Sequence, residues 1–370
     1  MLIGVPKEIK DQEFRVGVTP AGVKTLVAVG HEVVVESGAG TRIGFSDDAY
    51  RAAGAKMVGA AEEAYACPLM VKVKEPQPSE ISLLREGQVL FTYLHLAADP
   101  GLTRQLVERK IVGIAYETVT DEQGRLPLLT PMSEVAGRVA VQAGATALQM
   151  ANGGSGTLLG GVPGVSPGKV VILGGGTVGT NAARMALGLG ADVTILDHGL
   201  PRLRQLDDLF GPRLKTRFAE TQAIEELTAD ADLVVGAVLV PGKRAAKLLS
   251  RDMIRRMRPG SVLVDVSIDQ GGCSETSRPT THSAPTYIEE GVVHYCVTNM
   301  PAACARTATQ ALTSATLPYV LQLADKGYRE ALRENTGLCH GLNLHLGQVT
   351  HPNVAADLGY PYVPTETALF

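Results

Sequence analysis

At 370 residues, with a net charge of −4 and 45% hydrophobic residues, the chain exceeds one ordinary core, and ~150 residues per domain predicts two domains. The charge balance leaves no basic footprint for nucleic acid or an anionic membrane surface; LIGVPKEIK at the start is not a signal peptide, and no apolar run reaches the ~18 residues of a membrane span. Five scattered cysteines (Cys67, Cys273, Cys296, Cys304, Cys339) with no C-x-x-C pair predict reduced thiols in a cytoplasm, not a disulfide framework or a zinc site.

In chain order, short apolar runs come first as LIGV (2–5), HEVVVE (31–36), LMVKV (69–73), VLFTYL (89–94) and VGIAYE (112–117), separated by amphipathic or polar stretches. Between the first two runs, Arg15 in FRVGVTP has surface charge as its plain reading. LMVKVKEP puts Lys72 and Lys74 on one face of a strand ended by Pro76, which suits edge protection or charges facing a site. In VLFTYLHLAADP (89–100), alternation points Phe91, Tyr93 and His95 the same way, so His95 is either a hydrogen-bonded core histidine or a reactive group at a strand end.

PMSEVAGRVAVQAGATALQM (131–150) predicts a helix, capped by Ser133 or by Thr130 with Pro131 as first helical residue. The glycine-rich ANGGSGTLLGGVPGVSPGK that follows predicts a loop. A second strand series runs VVIL (170–173), VTIL (193–196), LVVG (233–236), VLVD (262–265) and VHYCV (293–297). TATQALTSATLPYVLQLADKG (307–327) is again helical, allowing for Pro318, and the tail reads as helix and loop. Strands at helix-length intervals make βαβ units and parallel sheets. The predicted fold class is therefore α/β: two Rossmann-like lobes with open, mainly parallel sheets separated by a cleft. The first lobe takes 1–129 plus 306–370 and the second 130–305.

VVILGGGTVGTNAARMALGLGADVTILD is the most informative stretch. Its G-x-G-x-x-G, Gly174, Gly176 and Gly179, follows a strand and opens a helix, and Asp197 ends the next strand 18 residues beyond Gly179. Gly174 permits the tight turn, Gly176 lets backbone approach a pyrophosphate, Gly179 lets helix meet strand, and Asp197 can hold the adenosine ribose. A βα turn without ligand is the plain alternative. Asp197 would repel a 2′-phosphate, which favours NAD over NADP; Arg202 and Arg204 either offset that repulsion or are solvated helix charges. VLVDVSIDQGG is read as a strand running on to Asp269, at the cleft end of its sheet or in an ordinary turn. The remaining histidines have no H-E-x-x-H or similar spacing, so no metal is implied.

The segments GVPKEIKDQEFRVGVTP, VKVKEP, LFTYLHLAAD, GIAYETV, LPLLTPMSEVAGR, GGVPGV, LGGGTVGTNAA, VGAVLVPG, VDVSIDQGGCSETSRPTTH and NMPA, in that order, resemble the bacterial L-alanine dehydrogenase family. The resemblance implies reversible NAD-dependent oxidative deamination of L-alanine to pyruvate and ammonium. It implies that Arg15 binds the substrate carboxylate, that Lys74 contacts carboxylate and keto oxygen, that His95 is the general acid/base and that Asp269 is the second catalytic group. Tyr93 and Met132 would shape the pocket, Asn299 and Met300 would border the nicotinamide, and Ser133 would touch the pyrophosphate. Thr177, Val178, Leu239 and Arg202 join Gly174, Gly176, Gly179 and Asp197 in the implied cofactor site. A cytoplasmic homohexamer with a mobile cleft is implied as well.

Two departures stand out: CARTATQ (304–310) replaces a V-P-R-T-S-T run, and HGLP replaces an Asn-rich turn after Asp197. Three rivals share parts of the pattern. The NAD-binding subunit of proton-translocating transhydrogenase has the same opening words, but its counterpart of LHLAA lacks the histidine. A saccharopine-type lysine-forming dehydrogenase has two similar lobes and a bulkier substrate. A redox-sensing NAD module would need none of Arg15, Lys74, His95 and Asp269.

Overall fold

The computed structural model describes residues 1–238 and 245–369; Leu239, expected at the cofactor, lies outside them. The chain divides into two compact units, one of Met1–Met132 with Ala305–Phe370 and one of Ser133–Cys304. The first begins with strands β1 (Leu2–Val5), β2 (Glu32–Glu36), β3 (Lys56–Val58), β4 (Leu69–Val71), β5 (Val89–Thr92) and β6 (Val112–Ala115). The second holds β7 (Lys169–Leu173), β8 (Asp192–Asp197), β9 (Leu214–Phe218), β10 (Leu233–Gly236), β11 (Val262–Asp265), β12 (Thr286–Glu289) and β13 (Val292–Tyr295). The chain then returns to the first unit and adds β14 (Leu342–His345) and β15 (Gln348–Val349).

In the first unit the sheet order is β15-β14-β6-β5-β4-β1-β2-β3. It is parallel from β6 to β3, and antiparallel where β14 joins β6 and β15 joins β14. The tail therefore contributes two strands where helix and loop were expected. The inner strands read as continuous apolar runs because both faces are covered: Val33, Val34 and Val35 are all buried. Helical chain lies so close to β1 that a Cβ on Gly4 would stand 2.3 Å from the Ala64 carbonyl oxygen. Met70, Leu90, Leu102, Leu106 and Leu344 belong to one core cluster, each buried side chain contributing about 1.5–3 kcal/mol. Because β4 is an inner strand, Lys72 and Lys74 are not edge protection.

The second sheet runs β12-β13-β11-β10-β7-β8-β9, parallel except for the β12–β13 pair. Strand order reverses between β7 and β10, and the first sheet reverses likewise between β1 and β4. The carboxyl ends of strands beside such a reversal are where open α/β sheets bind ligands. Strand β11 ends at Asp265, earlier than the expected continuation to Asp269. The buried Asp265 carboxylate accepts the N–H groups of Ser267 (3.0 Å) and Cys273 (2.8 Å) and the Ser277 hydroxyl (2.6 Å), which turns the chain into a 3₁₀ segment, Val266–Gln270. The long helix after the first strand series spans Thr130–Ala147, so Ser133 lies inside its first turn and does not cap it. Among the described residues no helix is long and apolar enough to cross a membrane.

Candidate active site

In the first unit the candidate residues gather at the carboxyl ends of β1, β4 and β5. Arg15 is 2% exposed and is gripped by Glu13 through two parallel bonds, Nε to Oε1 at 2.7 Å and Nη2 to Oε2 at 2.6 Å. Its Nη1 lies 3.1 Å from the Met132 sulfur. Burial alone would lower the Arg15 pKa, but the Glu13 carboxylate outweighs it and holds the guanidinium above its ordinary value. Sequence reasoning missed Glu13, although it is the glutamate of the quoted EFRV segment.

Past the end of β4, two lysines take opposite roles. Lys72 is fully buried and donates to Glu80 (2.8 Å) and Glu8 (3.2 Å). It neutralises those carboxylates, since an isolated buried ammonium would be prohibitively costly. Glu8 also accepts the N–H groups of Val73 (2.7 Å) and Lys74 (3.3 Å), fixing the backbone from which Lys74 projects. The Lys74 ammonium makes no hydrogen bond or ion pair among the described residues, although only 8% of the residue is exposed. Burial, reinforced by nearby Arg15, pushes its pKa down. A buried cation beside a second cation is a receptor for an anion.

Strand β5 ends at Thr92, and Tyr93 and His95 leave it on one side with their rings parallel, 5.8 Å apart at an interplanar angle of 5°. Tyr93 is buried, packs edge-on against Tyr116, and donates to the Leu128 carbonyl at 2.5 Å. His95 is not a core histidine: it is exposed and has a left-handed backbone (φ 48°, ψ 39°). For a residue other than glycine that conformation costs about 1–3 kcal/mol and needs its surroundings to hold it. Glu117, also missed in the sequence, accepts the N–H groups of His95 (2.6 Å) and Leu94 (3.1 Å).

In the second unit the loop after β7 has the geometry its glycines suggested. Gly174 has φ 103°, and a Cβ on Gly179 would stand 1.9 Å from the Gly174 carbonyl oxygen, so helix Thr177–Gly188 can start there only with glycine. Gly176 is the N-cap, no side chain caps that helix, and a Cβ at Gly176 would meet nothing within 4 Å. Open space in front of uncapped helical N–H groups fits a pyrophosphate. Thr177 is exposed there and Val178 is turned inward. Asp197 accepts Gly175 N–H (2.7 Å) and Gly199 N–H (2.8 Å), one on each oxygen, and each oxygen keeps a further acceptor position for a ribose hydroxyl. Arg202 is no solvated helix charge: Nε donates to the Gly175 carbonyl (2.6 Å), Nη2 to Thr180 Oγ1 (2.6 Å) and Nη1 to Gln205 (2.9 Å). Arg204 is exposed.

Asp269 is exposed on the 3₁₀ segment after β11, and its Oδ1 accepts the Asn299 N–H at 3.4 Å. Asn299 has φ 60°, and its carbonyl faces His282 Nε2 at 3.2 Å. Met300 beside it is 2% exposed. The first unit thus gathers Arg15, Lys74, Tyr93, His95 and Met132, and the second gathers the glycine loop with Asp197 and, separately, Asp269 with Asn299.

Family models match both parts of the chain: one described as alanine dehydrogenase/PNT, N-terminal domain, at residues 4–136, and one described as alanine dehydrogenase/PNT, C-terminal domain, at residues 140–352. The chain is 57% identical over 364 residues to the alanine dehydrogenase of Halomonas elongata, with 98% of each covered. A solved structure of L-alanine dehydrogenase matches at a TM-score of 0.95 and 54% identity, over 97% of this chain and 99% of its own. A transhydrogenase structure from Sinorhizobium meliloti matches more distantly, at a TM-score of 0.83 and 25% identity, over 95% of this chain and 100% of its own.

Proposed function

The chain belongs to the alanine dehydrogenase/PNT family, and from that premise we infer that it interconverts L-alanine with pyruvate and ammonium, using NAD. The observation that carries this reading is the buried pair of cations, Arg15 beside Lys74, with Arg15 close to Tyr93, the ring on which His95 stacks. A transhydrogenase subunit, which passes hydride to another protein, needs no receptor for a small carboxylate. In the reading proposed here, residues 1–129 with 306–370 bind substrate and 130–305 bind NAD through Gly174, Gly176, Thr177, Val178, Gly179 and Asp197, with Ser133, Arg202, Asn299 and Met300 completing the site.

Arg15, held on its Nε edge by Glu13, presents its outer nitrogens to the pyruvate carboxylate. Lys74 shares that carboxylate and polarises the keto oxygen as ammonia adds to the carbonyl carbon. His95 donates a proton to the departing hydroxyl of the carbinolamine, so that water leaves and an imine forms, and it takes a proton back in the reverse direction. Asp269 steadies the cationic imine, and Tyr93 with Met132 limits the pocket to a small side chain. When bound, NADH supplies the hydride that the imine carbon receives.

The test is the loss of NADH absorbance. It should require pyruvate and ammonium together, be far slower with NADPH, and be absent with 2-oxoglutarate plus lysine. Binding of NADH with no oxidation under any of these conditions would move the transhydrogenase reading ahead.

Lys74 adds a pH signature. Its lowered pKa means that the ammonium needed for pyruvate is lost as pH rises through a value below the ~10.4 of an ordinary lysine. Burial pushes Tyr93 upward and Arg15 stays charged, so neither titrates in that window. Pyruvate affinity of the enzyme–NAD⁺ complex, measured by titration upward from pH 7, should fall at a lower pH than an ordinary lysine would dictate; a flat profile would remove Lys74 from the site.

We also propose that the enzyme is a cytoplasmic homo-oligomer, a hexamer by resemblance. In support, Met150, Leu158, Val162, Val165 and Ile288 of the second unit are all exposed, and association would cover such aliphatic side chains.

A further inference from the structure

We propose that Lys247 is a positioning residue that holds the turn carrying Asp269; the proposal rests on the reading of Asp269 as the group that steadies the cationic imine. Asp269 is exposed, and the bond its Oδ1 accepts from the Asn299 N–H is long, at 3.4 Å. The place of its carboxylate is therefore set by the backbone that carries it. That backbone is the 3₁₀ segment Val266–Gln270, followed directly by Gly271 (φ 95°) and Gly272 (φ 78°). Two consecutive glycines give the chain its greatest conformational freedom just where Asp269 needs a fixed frame. The carbonyls at the end of a short helix also lack partners within it.

A strap of chain, residues 245–249, supplies what the turn lacks. The Ala245 N–H donates to the Gln270 carbonyl (2.9 Å), and the Leu248 and Leu249 N–H groups donate to the Cys273 carbonyl (2.8 and 3.1 Å). These bonds fall on either side of the glycine pair. The Lys247 ammonium spans it, donating to the Gly271 carbonyl at 2.6 Å and to the Ser274 carbonyl at 2.8 Å. A cation is suited to the last carbonyls of a helical segment, and its charge makes both bonds stronger than neutral ones. On the opposite side the Asp265 carboxylate accepts the N–H groups of Ser267 and Cys273. An anion thus holds the turn by its N–H groups and a cation by its carbonyls, with Asp269 between the two grips. Lys247 is itself exposed, so its removal leaves no cavity in the core.

The test compares Lys247→Met, Lys247→Arg, Asp269→Ala and the Lys247→Met/Asp269→Ala pair, reading kcat and pyruvate KM in the amination direction, NADH affinity and melting temperature. Lys247→Met keeps the length of the side chain without its donors. It should lower kcat by about 10- to 30-fold, the scale of a displaced catalytic group, with pyruvate KM and NADH affinity within about twofold of wild type. Lys247→Arg keeps a cation with several donors and should stay within about threefold of wild-type kcat; a loss as large as that of Lys247→Met would overturn the proposal. In the Asp269→Ala background, whose residual rate is read at high enzyme concentration, Lys247→Met should cost nothing further, because residues that act as a unit are not additive. A merely structural lysine would lower the melting temperature and leave kcat of the folded enzyme alone. Wild-type kcat in Lys247→Met therefore overturns the proposal, and so does a full additional loss in the Asp269→Ala background. Should Lys247→Met fail to fold, Lys247→Gln decides: its shorter amide should lose about 3- to 10-fold in kcat, and wild-type kcat there overturns the proposal. Near-normal turnover in Asp269→Ala would overturn the reading of Asp269 itself, whereas a crippled Asp269→Ala with an unaffected Lys247→Met would overturn only the role of Lys247.

Discussion

Substituting His95 by alanine should lower kcat for pyruvate amination by about 10²- to 10⁴-fold, the range that one positioned acid/base group supplies, and leave NADH affinity within about twofold of wild type. The separation of the two effects follows from the architecture. His95 is on the loop after β5 in one unit, and the glycine loop and Asp197 are in the other. The side chain is exposed and fills no core, so its loss should leave the melting temperature nearly unchanged. Stopped-flow single turnovers would place the loss in the chemical step. A variant that turns over at a near-normal rate would make His95 no more than a strained turn residue.

Arg15→Met should do two things at once. It should raise the KM for pyruvate by about 30-fold or more, since a hydrogen bond to a charged group is worth roughly 1.5–3 kcal/mol. It should also destabilise the fold by about 3–5 kcal/mol, because the Glu13 carboxylate stays buried after losing its guanidinium. The double variant Arg15→Met/Glu13→Gln separates these roles: neutralising Glu13 should restore much of the melting temperature and none of the pyruvate affinity. Arg15→Lys should not rescue binding either, since an ammonium cannot satisfy Glu13 and a carboxylate with one rigid fork. Wild-type KM in Arg15→Met would mean that this arginine serves the fold alone.

Much of the fold was legible in the sequence because inner strands of a parallel sheet are apolar on both faces. VVIL, VLVD and LVVG announced themselves in this way, and β7, β10 and β11 are indeed buried throughout those runs. Edge strands were not legible. LKTRF forms β9, but Leu214 is its only buried residue, so nothing apolar marks it. Likewise LNLH pairs antiparallel with β6 from far along the chain, a partnership no local pattern encodes. The glycine loop was readable because Gly174 and Gly179 have separate steric reasons to be there, a positive φ and a close carbonyl, while Gly176 leaves open space before the helix.

Within the candidate site, the cations could be picked out and the carboxylates that hold them could not. Glu8, Glu13 and Glu117 look like ordinary surface charges in sequence, and their roles depend on which N–H or guanidinium group the fold brings to them. Arg202 was ambiguous for the same reason, since its partners Gly175 and Thr180 come from the opposite side of the βα turn.

The central claim is that hydride and ammonia are joined on one small keto acid. The most direct measurement is to incubate the enzyme with pyruvate, ¹⁵N-ammonium and NADH deuterated on both C4 positions, and to analyse the product by mass spectrometry. The account predicts L-alanine carrying one deuterium at Cα and one ¹⁵N in each molecule formed. Deuterated lactate, or oxidation of the cofactor with no labelled alanine, would contradict it.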